Sequence, residues 1–287
     1  MAFSVVNNLA SITAQNRLTS TQLGLTRTIG RLSSGLRINS AADDASGLAI
    51  ADRLQSDISA LGQATRNAND GISVVQVADG ALSQVSGLLQ RAVTLAEQAA
   101  SDTSGSFGTS SKAVLNSEYQ EILREVNRIS DTTAFNGRVI FGSAGVSLSV
   151  QIGTGATSSD SISISTTALS ATGLALTASG TGQTTTTSAL NTSVAVAQAE
   201  IGKLQTAIDN ISTRRASLGS SLNRLTATAA VISTTSQNLQ AAESQIRDAN
   251  IAEEITNLSK FQVLQQTGLA ALSQANSAAQ SVLSLLR

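Results

Sequence analysis

The feature that most constrains the fold is a heptad pattern between Leu190 and Ile246. At alternating steps of four and three, 14 of its 17 positions carry Leu, Ile, Val or Ala, and only Arg215, Ser236 and Glu243 interrupt it. Such a repeat is typical of a helix that packs along other helices. At 1.5 Å per residue the segment would span roughly 85 Å. The pattern therefore predicts partner helices of similar length.

The first half of the chain supplies two such partners. One series of mostly apolar positions runs from Leu54 to Ala100 and includes Asp79, and a shorter one runs from Leu115 to Ile129 after a turn-rich stretch. Two helices can thus pack along one from the second half. We expect a mainly α fold in which long antiparallel heptad helices form a rod.

The middle of the chain differs from both halves in composition and in its pattern of apolar residues. Asn136-Gly137 is a turn dipeptide, and residues 146–152 alternate between apolar and polar side chains as a half-buried strand does. Together with residues 138–141 this suggests a small β-hairpin. About half of residues 143–193 are Ser or Thr. We interpret residues 143–189 as a short, variable, surface-exposed segment that could carry sugars, with a flexible polar linker as the alternative.

Composition argues against catalysis. The 287 residues include no His, Cys, Trp or Pro. Without His or Cys, the usual zinc, haem and nucleophilic-triad chemistries lose their ligands and bases. We therefore predict a protein that is not an enzyme and that needs no cofactor or metal.

Charge and hydropathy limit the partners. The formal net charge is −1, which does not favour nucleic-acid binding. No apolar run reaches the roughly 18 residues of a membrane span, and no cleavable signal is expected at the start.

Residues 1–40 carry four arginines and no acid. A basic arm of this kind could bind anionic lipid, but the arginines are too scattered for a typical membrane-targeting cluster, so we favour self-association.

Both ends of the chain carry narrow apolar stripes. Each predicts a single amphipathic helix with nothing of its own to lie against, and isolated helices are marginal in water. We expect these stripes to be covered only by neighbouring copies of the chain. The predicted interface residues are Leu25, Ile29, Leu32 and Leu36 near the start and Ile251, Ile255, Leu258, Phe261, Leu264, Leu272, Val282 and Leu286 near the end.

The carboxylates of Asp43 and Asp44 follow Asn39 and Ser40, where a helix is predicted to begin. Carboxylates at that place complement the positive end of the helix dipole, and they could also pair with a neighbouring arginine. The helix-start interpretation is the favoured one.

Three blocks of sequence carry a family resemblance. Residues 32–51 (LSSGLRINSAADDASGLAIA), 133–137 (TAFNG) and the closing run from 246 to 287 (beginning IRDANIAEE and ending VLSLLR) resemble the corresponding blocks of bacterial flagellins. The match covers roughly the first 140 and last 100 residues, in the right order. The chain is therefore identified as resembling a flagellar filament subunit with a short variable region.

The resemblance implies an organisation and a set of partners. Residues 1–43 with 250–287 would be paired terminal helices of a filament core, and residues 44–142 with 190–249 a helical rod domain. The chain would form a helical homopolymer for swimming motility, its ends ordering on assembly. Expected partners are flagellar cap and hook-junction proteins and an export chaperone at the C-terminal segment. Type III export without signal cleavage would make it an extracellular filament protein.

Two further possibilities follow from the same resemblance. A hook-filament junction protein shares the terminal architecture and is the alternative within structural proteins. In addition, residues 89–96 resemble the flagellin stretch that a host Toll-like receptor binds, which nominates Gln90, Arg91, Leu95 and Glu118 as receptor contacts. Val93 and Thr94 depart from that family pattern, so ordinary surface residues are the competing interpretation.

Overall fold

The protein consists mainly of long helices. The computed structural model describes residues 8–101, 109–142, 145–171, 173–174, 176, 190 and 194–285. The helices in this part of the chain are α1 (Leu9–Ser34), α2 (Ala45–Ala100), α3 (Thr109–Thr132), α4 (Val194–Arg247) and α5 (Ile251–Leu285). The strands are β1 (Ala134–Phe135), β2 (Arg138–Val139), β3 (Val146–Gln151) and β4 (Ser161–Thr166). The predicted class, mainly α with long heptad helices and a small β region, is confirmed.

The chain divides into two compact units. One comprises Met1–Ser59 with Ser236–Arg287, and the other comprises Ala60–Thr235. The first contains α1 and α5 with one end each of α2 and α4, and the second contains the rest. The functional division predicted from the sequence, with boundaries at residues 43/44, 142/143, 189/190 and 249/250, stays a prediction.

The core of the second unit follows the heptad pattern of α4. Six of the buried residues of this helix are spaced by seven along the chain and are apolar: Ala197, Leu204, Ile211, Leu218, Leu225 and Ile232. From α2, Leu82 and Leu89 are fully buried, and from α3 so are Tyr119 and Leu123. Repetition at this interval keeps one face of a helix against its partners over its whole length. The seams predicted from the sequence are buried or half-buried, although these helices also bury residues that lie outside them.

The orientation of α2 and α4 follows from two close approaches. The side chain of Arg215 contacts Asp79, and a Cβ placed on Gly71 would lie 3.3 Å from Leu225 Cδ1. Residue numbers thus rise along one helix as they fall along the other. The two longest helices of the chain are antiparallel, as predicted.

Two short hairpins occupy the β region. Asn136 and Gly137 have φ values of 49° and 76°, the left-handed conformation that a two-residue hairpin turn requires at both positions. The turn therefore pairs β1 with β2. Strand β3 pairs with β4, not with residues 138–141. The single hairpin expected from the sequence was wrong in its pairing, because an Asn-Gly turn joins the residues immediately beside it.

The hydroxyl-rich segment contributes to the core. Ile162 and Ile164 of β4 are 3% and 1% exposed, and Leu169, Leu174 and Leu176 are buried as well. Alternation places the isoleucines on one face of β4 and the serines on the other. These apolar side chains therefore anchor the segment to the core, while its expected role as a variable surface segment stays a prediction and residues 177–189 lie outside the described part.

Among the residues that the structure describes, one helix is long and apolar enough to cross a membrane by length and composition alone. It is α2, in which the most apolar 18-residue window has a mean hydropathy of 1.3. A core helix of a soluble protein passes the same test, and the apolar seam of α2 is buried against α3 and α4. Of the apolar window, 33% is buried, so packing accounts for part of this apolar composition.

Candidate assembly surface

Helices α1 and α5 of the first unit form an antiparallel pair. Asn8 Nδ2 donates to the carbonyl of Ala275 at 3.0 Å, and at the other end Arg31 Nη1 lies 3.3 Å from Glu254 Oε1. Contacts therefore extend along most of both helices. The expectation that each terminal helix has nothing of its own chain to lie against was wrong, because the two ends lie against each other.

The seam between these two helices mixes six large apolar side chains with eight small or polar ones. Its positions recur at alternating steps of three and four and are buried or half-buried, whereas most residues between them are exposed. The seam comprises Ser11, Ala14, Leu18, Thr21, Leu25, Thr28 and Leu32 in α1 and Glu254, Leu258, Phe261, Gln265, Gly268, Leu272 and Ala275 in α5. Such a seam has less apolar surface to bury than a fully apolar seam of the same length, and burial of apolar area is what drives helix pairing.

Large apolar side chains point away from this seam. Leu9 is 73% exposed, Leu23 and Val263 are each 58% exposed, and Leu269 is 52% exposed. Of the thirteen large apolar residues that are exposed in the described part of the chain, nine lie on α1 or α5. The nine are Leu9, Ile12, Leu23, Ile29, Ile251, Ile255, Val263, Leu264 and Leu269, and we call them the outward apolar surface. Monomeric proteins rarely concentrate exposed apolar residues in this way.

The predicted interface residues divide into three groups. Ile29, Ile251, Ile255 and Leu264 belong to the outward apolar surface. A second group is buried or half-buried within the chain: Leu25, Leu32, Leu36, Leu258, Phe261 and Leu272. The side chain of Val282, and Leu286 as a whole, lie outside the described residues. Assignment of these residues to contacts between subunits stays a prediction.

Sequence reasoning missed five members of the outward apolar surface. Leu9, Ile12, Leu23, Val263 and Leu269 fall off the single heptad stripe that was followed in each helix. The sequence does contain a signal for these residues, because α1 and α5 carry large apolar residues on more than one face. A helix of that kind has more apolar surface than one partner helix can cover.

A short clasp joins the start of α5 to the end of α1. The backbone N–H of Arg37 donates to the carbonyl of Arg247 at 2.6 Å, and the N–H of Ala249 donates to the carbonyl of Gly35 at 2.9 Å. These bonds flank the antiparallel bridge between Leu36 and Asp248. Gly35 ends α1 with a φ of 73°, which glycine adopts without strain. The clasp fixes where the pairing of α1 with α5 begins.

Charged groups hold the turn that follows α1. Asp43 accepts hydrogen bonds from the Ser40 hydroxyl and from the backbone of Ser40 and Asn39, and these bonds lower its pKa. Its carboxylate lies 3.8 Å from Arg31 Nη2. Asp44 accepts from the backbone N–H groups of Gly47 and Ser46 in the first turn of α2, which lowers its pKa in the same way. The predicted helix-start role is observed for Asp44, and Arg31 pairs with Asp43 within the chain.

The four candidate receptor contacts do not share one surface. Gln90 is exposed, and Arg91 Nε donates to Glu118 Oε1 at 2.8 Å on the surface of α2 and α3. Leu95 is 0% exposed and belongs to the core. A buried core residue cannot contact a partner in this conformation, so Leu95 does not fit the predicted role.

Within the described residues, no three His, Cys, Asp or Glu side chains are grouped so that they could hold a metal ion.

Comparisons with known proteins identify the family. The model described as bacterial flagellin N-terminal helical region matches residues 5–145, and the one described as bacterial flagellin C-terminal helical region matches residues 201–286. The chain is 37% identical to flagellin FlaB2 of Treponema pallidum, over 98% of this chain and 99% of the relative. It is 36% identical to flagellin of Bacillus subtilis, with the same shares covered.

A solved structure is similar as well. The crystal structure of Bacillus cereus flagellin is 27% identical, with a TM-score of 0.46, over 62% of this chain and 94% of that chain. The family models together span residues on both sides of the hydroxyl-rich segment. On the strength of these models and of relatives that match over their full length, the chain belongs to the bacterial flagellin family.

Proposed function

We propose that this protein is the structural subunit of a bacterial flagellar filament, assembling with identical copies into a helical polymer that serves swimming motility. Family membership supports a structural protein and not an enzyme. The observation that carries the assembly mechanism is the outward apolar surface on α1 and α5. Copies of the chain would cover it, and the apolar area removed from water would offset the cost of ordering the helices.

We infer an open polymer, in which neighbouring copies contact the outward apolar surface through unlike patches. Contacts between unlike patches propagate as a helix unless their rotation closes a ring. The alternative, a hook-filament junction protein, would instead form short, closed assemblies. The relatives named above are flagellins, which favours the filament subunit.

We also propose the partners and location that the family implies. The chain would meet flagellar cap and hook-junction proteins at the two ends of the filament, and an export chaperone would cover the C-terminal segment beforehand. The filament would be extracellular, and its subunits would leave the cell by type III export without signal cleavage. A host Toll-like receptor could contact the exposed Gln90, Arg91 and Glu118, but the burial of Leu95 argues against the full predicted set.

The proposal is tested by making the outward apolar surface polar. In the double variant Ile29→Asn with Leu264→Asn, each change removes an exposed apolar side chain that assembly would bury. Fully burying such a side chain is worth about 1.5–3 kcal/mol, and because each is already half-buried, assembly would contribute about half of that per residue. We expect the critical concentration for filament growth, measured by sedimentation and electron microscopy, to rise at least about tenfold.

A matched control comes from the second unit. Val114 and Val231 are 67% and 63% exposed and lie on helices too, so Val114→Asn with Val231→Asn makes the same kind of change elsewhere. This control should assemble close to the parent. A trimmed chain without residues 1–40 and 251–287 should stay soluble. Filaments from the trimmed chain would refute the role of the ends, and short rings from the full chain would favour the junction protein.

A further inference from the structure

The two longest helices each interrupt their apolar seam with a charge, and the two charges meet. Arg215 Nε donates to Asp79 Oδ1 at 2.8 Å, and Arg215 Nη2 lies 3.3 Å from Asp79 Oδ2. The pair is therefore bidentate, which fixes its geometry more tightly than a single contact. Both residues occupy heptad seam positions of α2 and α4, as the sequence places them.

Apolar seam residues alone specify the register of this pair poorly. With Asp79 level with Arg215 and the helices antiparallel, the repeat places Ile72 level with Leu222 and Ser86 level with Ile208. Sliding one helix by seven residues again brings seam positions to the same level. A heptad pattern thus allows several registers of similar apolar burial unless one layer differs from the others.

The charged layer supplies that difference. A slide of seven residues would place Arg215 level with Ile72 or Ser86, and Asp79 level with Leu222 or Ile208. Either slide sets each half-exposed charge against an apolar or uncharged layer without its partner, which costs part of the desolvation penalty of an unpaired charge. In the observed register the side chains of Asp79 and Arg215 are 45% and 40% exposed, so the pair itself adds little stability. Its effect is on the competing registers.

We propose that the Asp79–Arg215 pair sets the register of α2 against α4 by penalising the alternative heptad registers. The pair is a specificity device and not a major source of stability. Replacing both charges with apolar residues should therefore leave a stable helical protein whose register is less strictly defined.

Engineered cysteines can read the register directly because the chain contains no cysteine of its own. In the full-length protein, Ile72→Cys with Leu222→Cys reports the observed register. Ile72→Cys with Ala229→Cys reports a register shifted by seven residues. The rate of disulfide formation with a mild oxidant is measured for both reporters in the parent, in Asp79→Leu with Arg215→Leu, and in the charge reversal Asp79→Arg with Arg215→Asp.

In the parent, only the reporter of the observed register should form a disulfide quickly. In the double leucine variant we expect disulfide formation in the shifted reporter to rise by about tenfold, the factor that corresponds to about 1.4 kcal/mol. The charge reversal should return the parental pattern, because it restores an opposite-charge layer at the same level. Helix content by circular dichroism and the midpoint of denaturant unfolding should be maintained in the double leucine variant.

A parental cross-linking pattern in the double leucine variant would overturn the proposal. A single variant, Asp79→Arg, gives an independent test because it places two arginines at one level, and unchanged rates of both reporters there would also overturn it. The matched control is Arg91→Gln. It removes another exposed interhelical ion pair, with Glu118, at a position outside the seam. This control should leave both rates as in the parent.

Discussion

Gly24 lies where α1 comes closest to the ring of Phe261. A Cβ built at this position would lie 2.7 Å from both Cε1 and Cζ of the ring, which is closer than real contacts allow. The absence of a side chain therefore lets the ring reach into the seam. Phe261 is the largest side chain of that seam, and its place there depends on this glycine.

The pair Gly24→Ala and Gly30→Ala separates helix propensity from packing. Each change should favour the helix by about 1 kcal/mol. A Cβ at Gly30 meets nothing within 4 Å, so Gly30→Ala should raise the helix content of the full-length monomer. At Gly24 the methyl group has to displace the ring, an overpacking cost of about 1–3 kcal/mol.

Circular dichroism and amide hydrogen exchange of α1, in dilute monomer, measure the difference. We expect less helix and faster exchange in Gly24→Ala than in Gly30→Ala. Equal gains in the two variants would show that the ring of Phe261 is not held by this contact.

At the scale of elements, α3 and α4 are joined by a buried polar group. The Tyr119 hydroxyl lies 3.2 Å from Glu200 Oε2, and Lys203 Nζ donates to Glu200 Oε1 at 2.7 Å. Tyr119 is 0% exposed and Glu200 is 3% exposed. Burial, together with the charge of Glu200, raises the pKa of Tyr119 well above its ordinary value. The phenol is thus held neutral as a donor to the carboxylate.

Alkaline titration should reveal this contact, because Tyr119 is the only tyrosine and the chain has no tryptophan. An unfolded tyrosine ionises near pH 10. Since folding raises the pKa, the stabilisation is complete below pH 10 and is lost as pH rises further. We expect phenolate absorbance to appear only together with the loss of helix. Ionisation near pH 10 in the folded protein would contradict the contact, and the chain in denaturant is the control.

Sequence predicted the helices of the second unit better than their polar contacts. Periodicity alone identifies which residues of α4 face the core, since Leu204 through Ile232 recur every seven residues. The burial of Glu200 was not predicted, because a carboxylate next to a seam is normally exposed to solvent. Only the structure shows that a tyrosine from another helix lies beside it. The partner of β3 was missed for a similar reason. Strand alternation gives the buried face but not the pairing.

The candidate assembly surface was predicted only in part. The sequence located apolar stripes at both ends, and Ile29, Ile251, Ile255 and Leu264 are exposed. Periodicity did not reveal that part of each stripe lies in the seam between α1 and α5, because it gives the apolar face of a helix but not the partner that covers this face. The clasp at Gly35 and Ala249 depends on backbone hydrogen bonds, which no side-chain pattern encodes.

At the scale of the whole molecule, a low net charge and a concentration of exposed apolar residues both favour association between copies. The formal net charge is −1, and charged residues make up 13% of the chain. Long-range repulsion between copies is therefore small. Assembly of such a chain is expected to be governed by apolar burial on α1 and α5, and its dependence on solution conditions should follow the hydrophobic effect.

Two salts distinguish apolar from electrostatic assembly. Sulfate strengthens apolar burial because it is excluded from protein surfaces, whereas sodium chloride mainly screens charge. At matched ionic strength, ammonium sulfate should lower the critical concentration for filament growth much more than sodium chloride does. Cooling should raise that concentration, because hydrophobic stabilisation weakens at low temperature. Equal effects of the two salts, measured by sedimentation, would mean that charge screening controls growth and that the outward apolar surface is not its main driving force.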